Sequence, residues 1–562
     1  MNGWWQMGAC LLLLVYEKDF RAGEVSARLT FPHENLPIFN NFAADENSRQ
    51  LGKNRLAYSP AGKLAYSNMS LLKKLAGETA IYGLSSIIGR VLNYLLTPLY
   101  TRLFVETEYG IVSELYALTG FLMVLFIYRM ETAFFRYGTE ESKREEAFST
   151  ALWSVLGTSL LFSALILFFS KNITGWLDYA PEQHTFVTIF GLILAFDTLA
   201  EIPLARLRLE HKAKRFAVIR LTGIALNIGF NLFFLLLCPW LLKQGILPEL
   251  TGKIYRPEFG VGYIFLSNLI ASAAVLLLLL PDMLRVRWQF NSSLWRTMFV
   301  YAAPLILASL AGIVNEMLDR ELLKHLLPGD TASNLAQIGI YSACYKLAML
   351  MSLFTQAFRY AAEPFFFAHA KHQDSRRLYA DVTKYFTIAG ALAFLGVMLY
   401  LDIFKYFIDE PYWKGLAVVP ILLLANLCLG LYYNVSIWYK LTDQTMLGGW
   451  IAVGGAVITI VLNVWWIPRI GYMGSAWATL ICYASMTVAC WWWGRKHYPV
   501  DYDLKKIATY IALALGLYFL SELVTANISL PKIALLSFNT VLVLVYLAFA
   551  WVKEREALRA LR

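Results

Sequence analysis

From about residue 80 onward, long apolar blocks alternate with short polar and basic stretches, as in Phe148 to Ser170, Tyr263 to Leu280 and Leu530 to Val552. A helix needs about 20 apolar residues to cross the hydrocarbon of a bilayer, so such blocks read as membrane spans rather than buried core helices. The pattern predicts fourteen spans, near 80–104, 111–130, 148–170, 185–205, 216–238, 260–281, 297–323, 337–360, 379–400, 416–440, 447–468, 471–493, 505–524 and 532–552. The expected fold class is therefore an all-α polytopic membrane protein.

Composition agrees. Of 562 residues, 58% are hydrophobic and only 16% charged, with a mean hydropathy of +0.53, whereas soluble domains carry about a quarter charged residues. The net charge of +10 does not point to nucleic acid, because the basic residues lie in short loops between spans and form no separate basic module. One set of alternate loops holds roughly 27 Lys and Arg and the other roughly 10, which predicts that both ends of the helical body are cytoplasmic. The six cysteines are scattered, mostly in apolar segments, and show no metal-ligand or disulfide spacing.

Residues 1–68 stand apart. They are polar and mixed in charge, expected to be disordered or a start-site artefact, with Met69 opening a plausible short start before the first span. The remainder shows an internal repeat. Glu131 to Phe135 resembles Glu363 to Phe367, and Leu209 and Asn231 are answered by Leu441 and Asn463, each pair 232 residues apart. Gly110-Ile-Val-Ser113 with Tyr116 matches Gly339-Ile-Tyr-Ser342 with Tyr345 at a slightly shorter offset, and Asn93 answers Asn315. A duplication of six helices is expected, giving parallel repeat lobes at 69–281 and 282–493, with two further spans and a tail at 494–562.

A charge at membrane depth costs about 2.5–3.5 kcal/mol on insertion scales, so each one needs a reason. Arg90 lies roughly 15 Å into the first span and has no acid one turn away; Lys346 is similarly placed in the eighth. These two are the candidate cationic substrate site, with Asn93, Tyr94 and Tyr345 beside them. Burial in an interhelical ion pair is the bland alternative. Arg320 is expected to pair with Glu316, and Arg359 with Glu363, one turn apart. Arg129 and Arg220 lie close enough to the interface to snorkel. Arg129 with Glu131, and Arg359 with Glu363, also stand as a candidate cytoplasmic gate. Asp197 and Glu201 share a helix face and could couple transport to a proton or sodium ion. Pairing with the basic 206–215 loop is the favoured explanation for them.

Enzyme chemistry is thinly represented. Asp501-Tyr502-Asp503 has a metal-holding D-x-D form, yet its loop is too short for a catalytic domain. There is no P-loop, H-E-x-x-H, G-x-S-x-G or Cys/His cluster. No enzyme activity, cofactor or metal is expected, and energy for transport would come from an ion gradient, the membrane potential or downhill flux.

The segment Glu78 to Arg90, then Pro98-Leu-Tyr-Thr-Arg102 and Glu108-Tyr-Gly110, resembles the amino-terminal region of Wzx-type polysaccharide-biosynthesis flippases. These belong to the multidrug, oligosaccharidyl-lipid and polysaccharide exporter (MOP) superfamily, and the resemblance covers about 69–552. It implies two lobes around a cationic cavity that accepts the diphosphate and sugars of a polyprenyl-diphosphate-linked oligosaccharide, in the bacterial inner membrane. Arg90 would match the family's basic residue in the first span. Contact with membrane lipids is implied, and contact with polysaccharide polymerase or assembly proteins stays open. So do two other transporters, a lipid II flippase and an ion-coupled drug or metabolite antiporter, and a membrane glycosyltransferase.

Overall fold

The computed structural model describes residues 87–246, 248–285, 289–369, 375–442, 444–528 and 531–560. The 1–68 extension, the start at Met69 and the opening residues of the first span lie outside them. Residues Ala76–Val543 form one compact unit; the described part of a second, from Leu544 on, is the close of one long helix.

Among the described residues every regular element is helical. The first expected span appears from residue 87 as α1 (87–94) and α2 (Thr97–Leu103). There follow α3 (Glu106–Ile127), α4 (Met130–Tyr137), α5 (Glu141–Phe168), α6 (His184–Leu209), α7 (Ala213–Leu232) and α8 (Gly262–Leu284). Next come α9 (Ser292–Leu326), α10 (Thr331–His369), α11 (Ser375–Met398), α12 (Val419–Val435), α13 (Thr445–Ile470) and α14 (Tyr472–His497). The chain closes with α15 (Leu504–Asn527) and α16 (Lys532–Ala560). Thirteen described helices are long and apolar enough to cross a membrane.

Several helices overrun their apolar blocks. The block from Phe148 belongs to a helix that begins at Glu141, through the polar turn Glu-Ser-Lys-Arg-Glu-Glu. Backbone hydrogen bonding continues out of the hydrocarbon because it does not depend on apolar side chains. The opposite correction applies to the second span, expected to run to residue 130. It ends at Ile127, where Tyr128 (φ 39°) and Arg129 (φ 60°) turn the chain through the left-handed region into α4. Gly471 (φ 60°) alone joins α13 to α14, a tight reversal suited to a residue without Cβ. The D-x-D loop has a structural use: Asp503 caps α15, accepting from the Lys506 N–H at 3.0 Å.

Helices α3 and α5–α8 pack among themselves, as do α10–α14. Helix α9 lies against α13 of the second set and also against α3 and α4 of the first, and α15 packs on α11. The broadest contact between the two sets is α3 across α10. There Gly110 and Gly339, which the sequence pairs as repeat equivalents, face each other. A Cβ on Gly110 would lie 2.0 Å from the Leu335 carbonyl oxygen, and one on Gly339 would lie 2.0 Å from that of Glu106. Only glycine permits so close a crossing.

Candidate functional site

The two ends of the bundle differ. One, here the basic end, carries Arg129, Arg206, Arg215 and Arg359; the other, the far end, carries Glu106, Lys324 and Lys414.

Across the far end the two helix sets are tied by polar contacts. Lys324 Nζ on α9 lies 2.5 Å from Glu114 Oε1 on α3, and both side chains are essentially inaccessible, at 1% and 0% exposure. Lys324 also donates to the Leu177 carbonyl, while the Tyr179 hydroxyl donates to Glu114 Oε2 at 2.7 Å. The Tyr412 hydroxyl donates to the Phe104 carbonyl at 2.8 Å, and Lys414 reaches Glu106 at 3.5 Å. A buried pair is retained only when its remaining valences are satisfied, and here the added donors and acceptors do so.

Deeper in, α9 and α10 build a cationic and aromatic cluster. The Arg320 guanidinium donates to Asp319 Oδ1 at 2.7 Å and to the Glu316 carbonyl at 2.9 Å. It lies over the rings of Tyr345 (4.8 Å to the centroid) and Tyr341 (5.7 Å), and the Tyr341 hydroxyl donates to Asp319 Oδ2 at 2.7 Å. The expected ion pair of Arg320 with Glu316 is thus corrected. Its carboxylate partner is the adjacent Asp319, which tilts the guanidinium toward α10, and Glu316 is left exposed. Lys346 follows Tyr345 on α10, half-buried, and the Arg320 charge acts on it. Among the described residues Lys346 is in no ion pair.

The other candidates sit as follows. Arg90 is exposed on α1 and forms no ion pair among the described residues. Asn93 accepts from Asn227 at 3.5 Å. Tyr94 is buried and stacked on Phe407, with ring centroids 4.4 Å apart, so its ring face is already covered. Lys346 and Tyr345 are brought together with Arg320, whereas Arg90 and Asn93 lie on another helix that packs on α7 through Gly89 against Ile224. At the basic end Arg129 pairs with Glu131 at 3.1 Å, and Arg359 lies over Tyr433 at 4.8 Å; the Glu363 side chain lies outside the described residues.

The carboxylates of α6 also differ from expectation. Glu201 pairs with Arg220 of α7 at 2.5 Å, and Asp197 bonds Ser272 of α8. The basic loop is engaged elsewhere: Arg206 with Glu145 and Glu210, Lys212 with Glu210, and Arg215 with Asp282. Arg220 therefore does not simply snorkel. It faces an acid across a helix contact, which spacing along one helix does not reveal. The sequence reading also passed over Glu114 and Lys324, although a search for acid and base partners between spans would have flagged them.

Helices long and apolar enough to cross a membrane, packed in two sets with charges held between them, define a polytopic membrane protein. Two solved structures share the fold. A lipid II flippase MurJ in an inward closed conformation superposes with TM-score 0.62 at 13% identity, covering 84% of this chain and 99% of that one. An inward-facing multidrug resistance MATE family transporter of the MOP superfamily gives 0.53 at 12% identity, covering 77% of this chain and 95% of that one. No curated protein matches the sequence closely enough to count as a relative. The polysaccharide biosynthesis protein family matches residues 75–369, more than half of the chain, and the protein belongs to that family.

Proposed function

We propose that this protein flips a polyprenyl-diphosphate-linked oligosaccharide from the cytoplasmic to the periplasmic leaflet by alternating access, supplying surface polysaccharide biosynthesis. The observation that carries the reading is the Arg320–Lys346 cluster. The Arg320 charge acts on Lys346; Arg320 is paired with Asp319 and lies over Tyr345 and Tyr341, while Lys346, half-exposed, is in no ion pair among the described residues. Placing like charges together at depth is costly unless an anion is received there. A diphosphate is such an anion, and it cannot cross hydrocarbon unaided.

The basic end is taken as cytoplasmic from the distribution of Lys and Arg. With the far end tied by Lys324–Glu114 and the glycine crossing, the chain then stands closed toward the periplasm. Arg90 and Asn93 supply a second polar face on α1. Arg129 with Glu131, and Arg359 with Glu363, are read as the cytoplasmic gate. Asp197 is the carboxylate for a coupling proton or sodium ion, since Glu201 is committed to Arg220.

The test is translocation of a fluorescent polyprenyl-diphosphate oligosaccharide by purified protein in liposomes. Wild type should transport, and Lys346→Ala should lower the rate at least tenfold at equal folded level, about the 1.4 kcal/mol of one charge-assisted contact. Absence of transport with several such glycolipids, alongside ion-driven efflux of small organic cations, would replace the reading with the antiporter.

A further inference from the structure

The Lys324–Glu114 contact has a third ionisable member. Glu321 lies three residues before Lys324 on α9, so the two side chains share the helix face turned toward α3. Its carboxylate is acted on by Glu114 and by Lys324, and it acts in turn on Tyr179. Lys324 has little left to offer it. An ammonium carries three N–H donors; one goes to Glu114 Oε1 and one to the Leu177 carbonyl. The Tyr179 ring covers a further side of the ammonium, with its centroid 4.5 Å from Nζ, and the Tyr179 hydroxyl is spent on Glu114 Oε2. Glu321 Oε1 is buried and has no hydrogen-bond partner.

Two acids thus share one cation, and the surplus charge falls on the group whose buried oxygen is unmet. Neighbouring carboxylates are unfavourable unless a cation or a proton intervenes. Lys324 already holds the cation's place, 2.5 Å from Glu114. A proton answers both deficits: it cancels the surplus charge and turns the carboxylate into a hydrogen-bond donor. The groups beyond are accounted for. Asp319 and Arg320 pair with each other, and His325, exposed and one turn on, acts on Glu114. Helix α9 ends at Leu326, five residues past Glu321, roughly 8 Å at helical rise, and Glu321 is only half-buried.

Connectivity decides what loss of the proton does. The Lys324–Glu114 bond runs between the two helix sets, whereas a Lys324–Glu321 pair lies within α9 and ties nothing across. An ionised Glu321 draws Lys324 away from Glu114 and repels Glu114 over the same gap. We infer that Glu321 is a proton-binding site that locks the far end: protonated, it leaves Lys324 to Glu114 and holds the helix sets together; ionised, it releases them. This goes beyond the transport reading and rests on the far-end contacts alone.

Spin labels at the exposed positions Glu182 and Ala332, one on each helix set at the far end, test it in the full chain in lipid nanodiscs, with neither substrate nor ion gradient. Between about pH 5 and 9 the wild type should pass from a short to a long distance. Its closed-to-open ratio should fall at least about tenfold over that range, and no faster than about tenfold per pH unit, the limit for a single proton. Glu321→Gln, neutral at every pH, should keep the short distance throughout, while Glu321→Asp and His325→Gln should each retain the response. Should Glu321→Gln fail to fold, Glu321→Met, of similar length and uncharged, makes the same test. A wild-type distance that ignores pH, a response that survives Glu321→Gln, or one that vanishes with His325→Gln would each overturn the site. Because no substrate is present, failure here leaves the transport reading standing, and failure of that reading leaves the lock standing.

Discussion

Lys324 and Glu114 meet across 210 positions of the chain in a direct buried contact, with Glu321 and His325 the other ionisable groups that act on the pair. Removing one leaves a buried charge without compensation, which typically costs 3–5 kcal/mol, whereas replacing both with apolar groups of similar size is often near neutral. Lys324→Met should therefore lower the thermal unfolding midpoint of the purified protein markedly. Lys324→Met with Glu114→Leu should recover most of that loss, and a double-mutant cycle by thermal unfolding in detergent checks both. Glu210 offers a contrast outside the membrane. Burial there raises its carboxyl pKa, but hydrogen bonds and charge from Lys212 and Arg206 outweigh it and hold the pKa below the usual range. Its folded value is depressed, so the stabilisation is fully present above the unfolded value near 4.3 and is lost as pH falls below it. Amide protection factors in the 206–215 turn, corrected for the intrinsic pH dependence of exchange, should fall between about pH 4.5 and 3, and Glu210→Gln should abolish that fall. Residue partners of this kind were the least legible feature of the sequence. Spacing along one helix proposes Glu316 for Arg320, yet the turn of the side chain toward Tyr345 on α10 selects Asp319. Spacing likewise has no means of showing that Arg220 crosses from α7 to meet Glu201 on α6.

Elements were far more legible, because hydropathy reports the solvent each helix must face. The expected blocks beyond residue 110 all correspond to described helices, and the errors fall at their ends. The apolar block near 337–360 sits inside α10, a 39-residue helix, since hydrogen bonds carry the helix past the hydrocarbon in both directions. The glycine crossing was legible as a repeat motif but not as a contact. With carbonyl oxygens 2.0 Å from where each Cβ would be built, the obstruction is backbone and has no rotamer to relieve it. Gly110→Ala and Gly339→Ala should each force α3 and α10 apart at the far end. Spin labels on the far ends of the two helices should report a wider mean distance, while the same labels with Gly157→Ala, where a Cβ meets nothing, should not move.

For the whole molecule, the closures at the far end share one physical character. The glycine crossing excludes side chains, and the lysine–glutamate pair is dry. Parting the helix sets there cannot expose Lys324 and Glu114 to an empty gap, because two separated ions in hydrocarbon-like surroundings would each carry a desolvation penalty of several kcal/mol. Water must arrive as the ions separate. Under the proposed alternating access, opening at the far end and its flooding are one event, so the barrier should respond to solvent as well as to sequence. Heavy water or an excluded osmolyte such as sucrose would slow that step while leaving a gate closed by apolar packing far less affected.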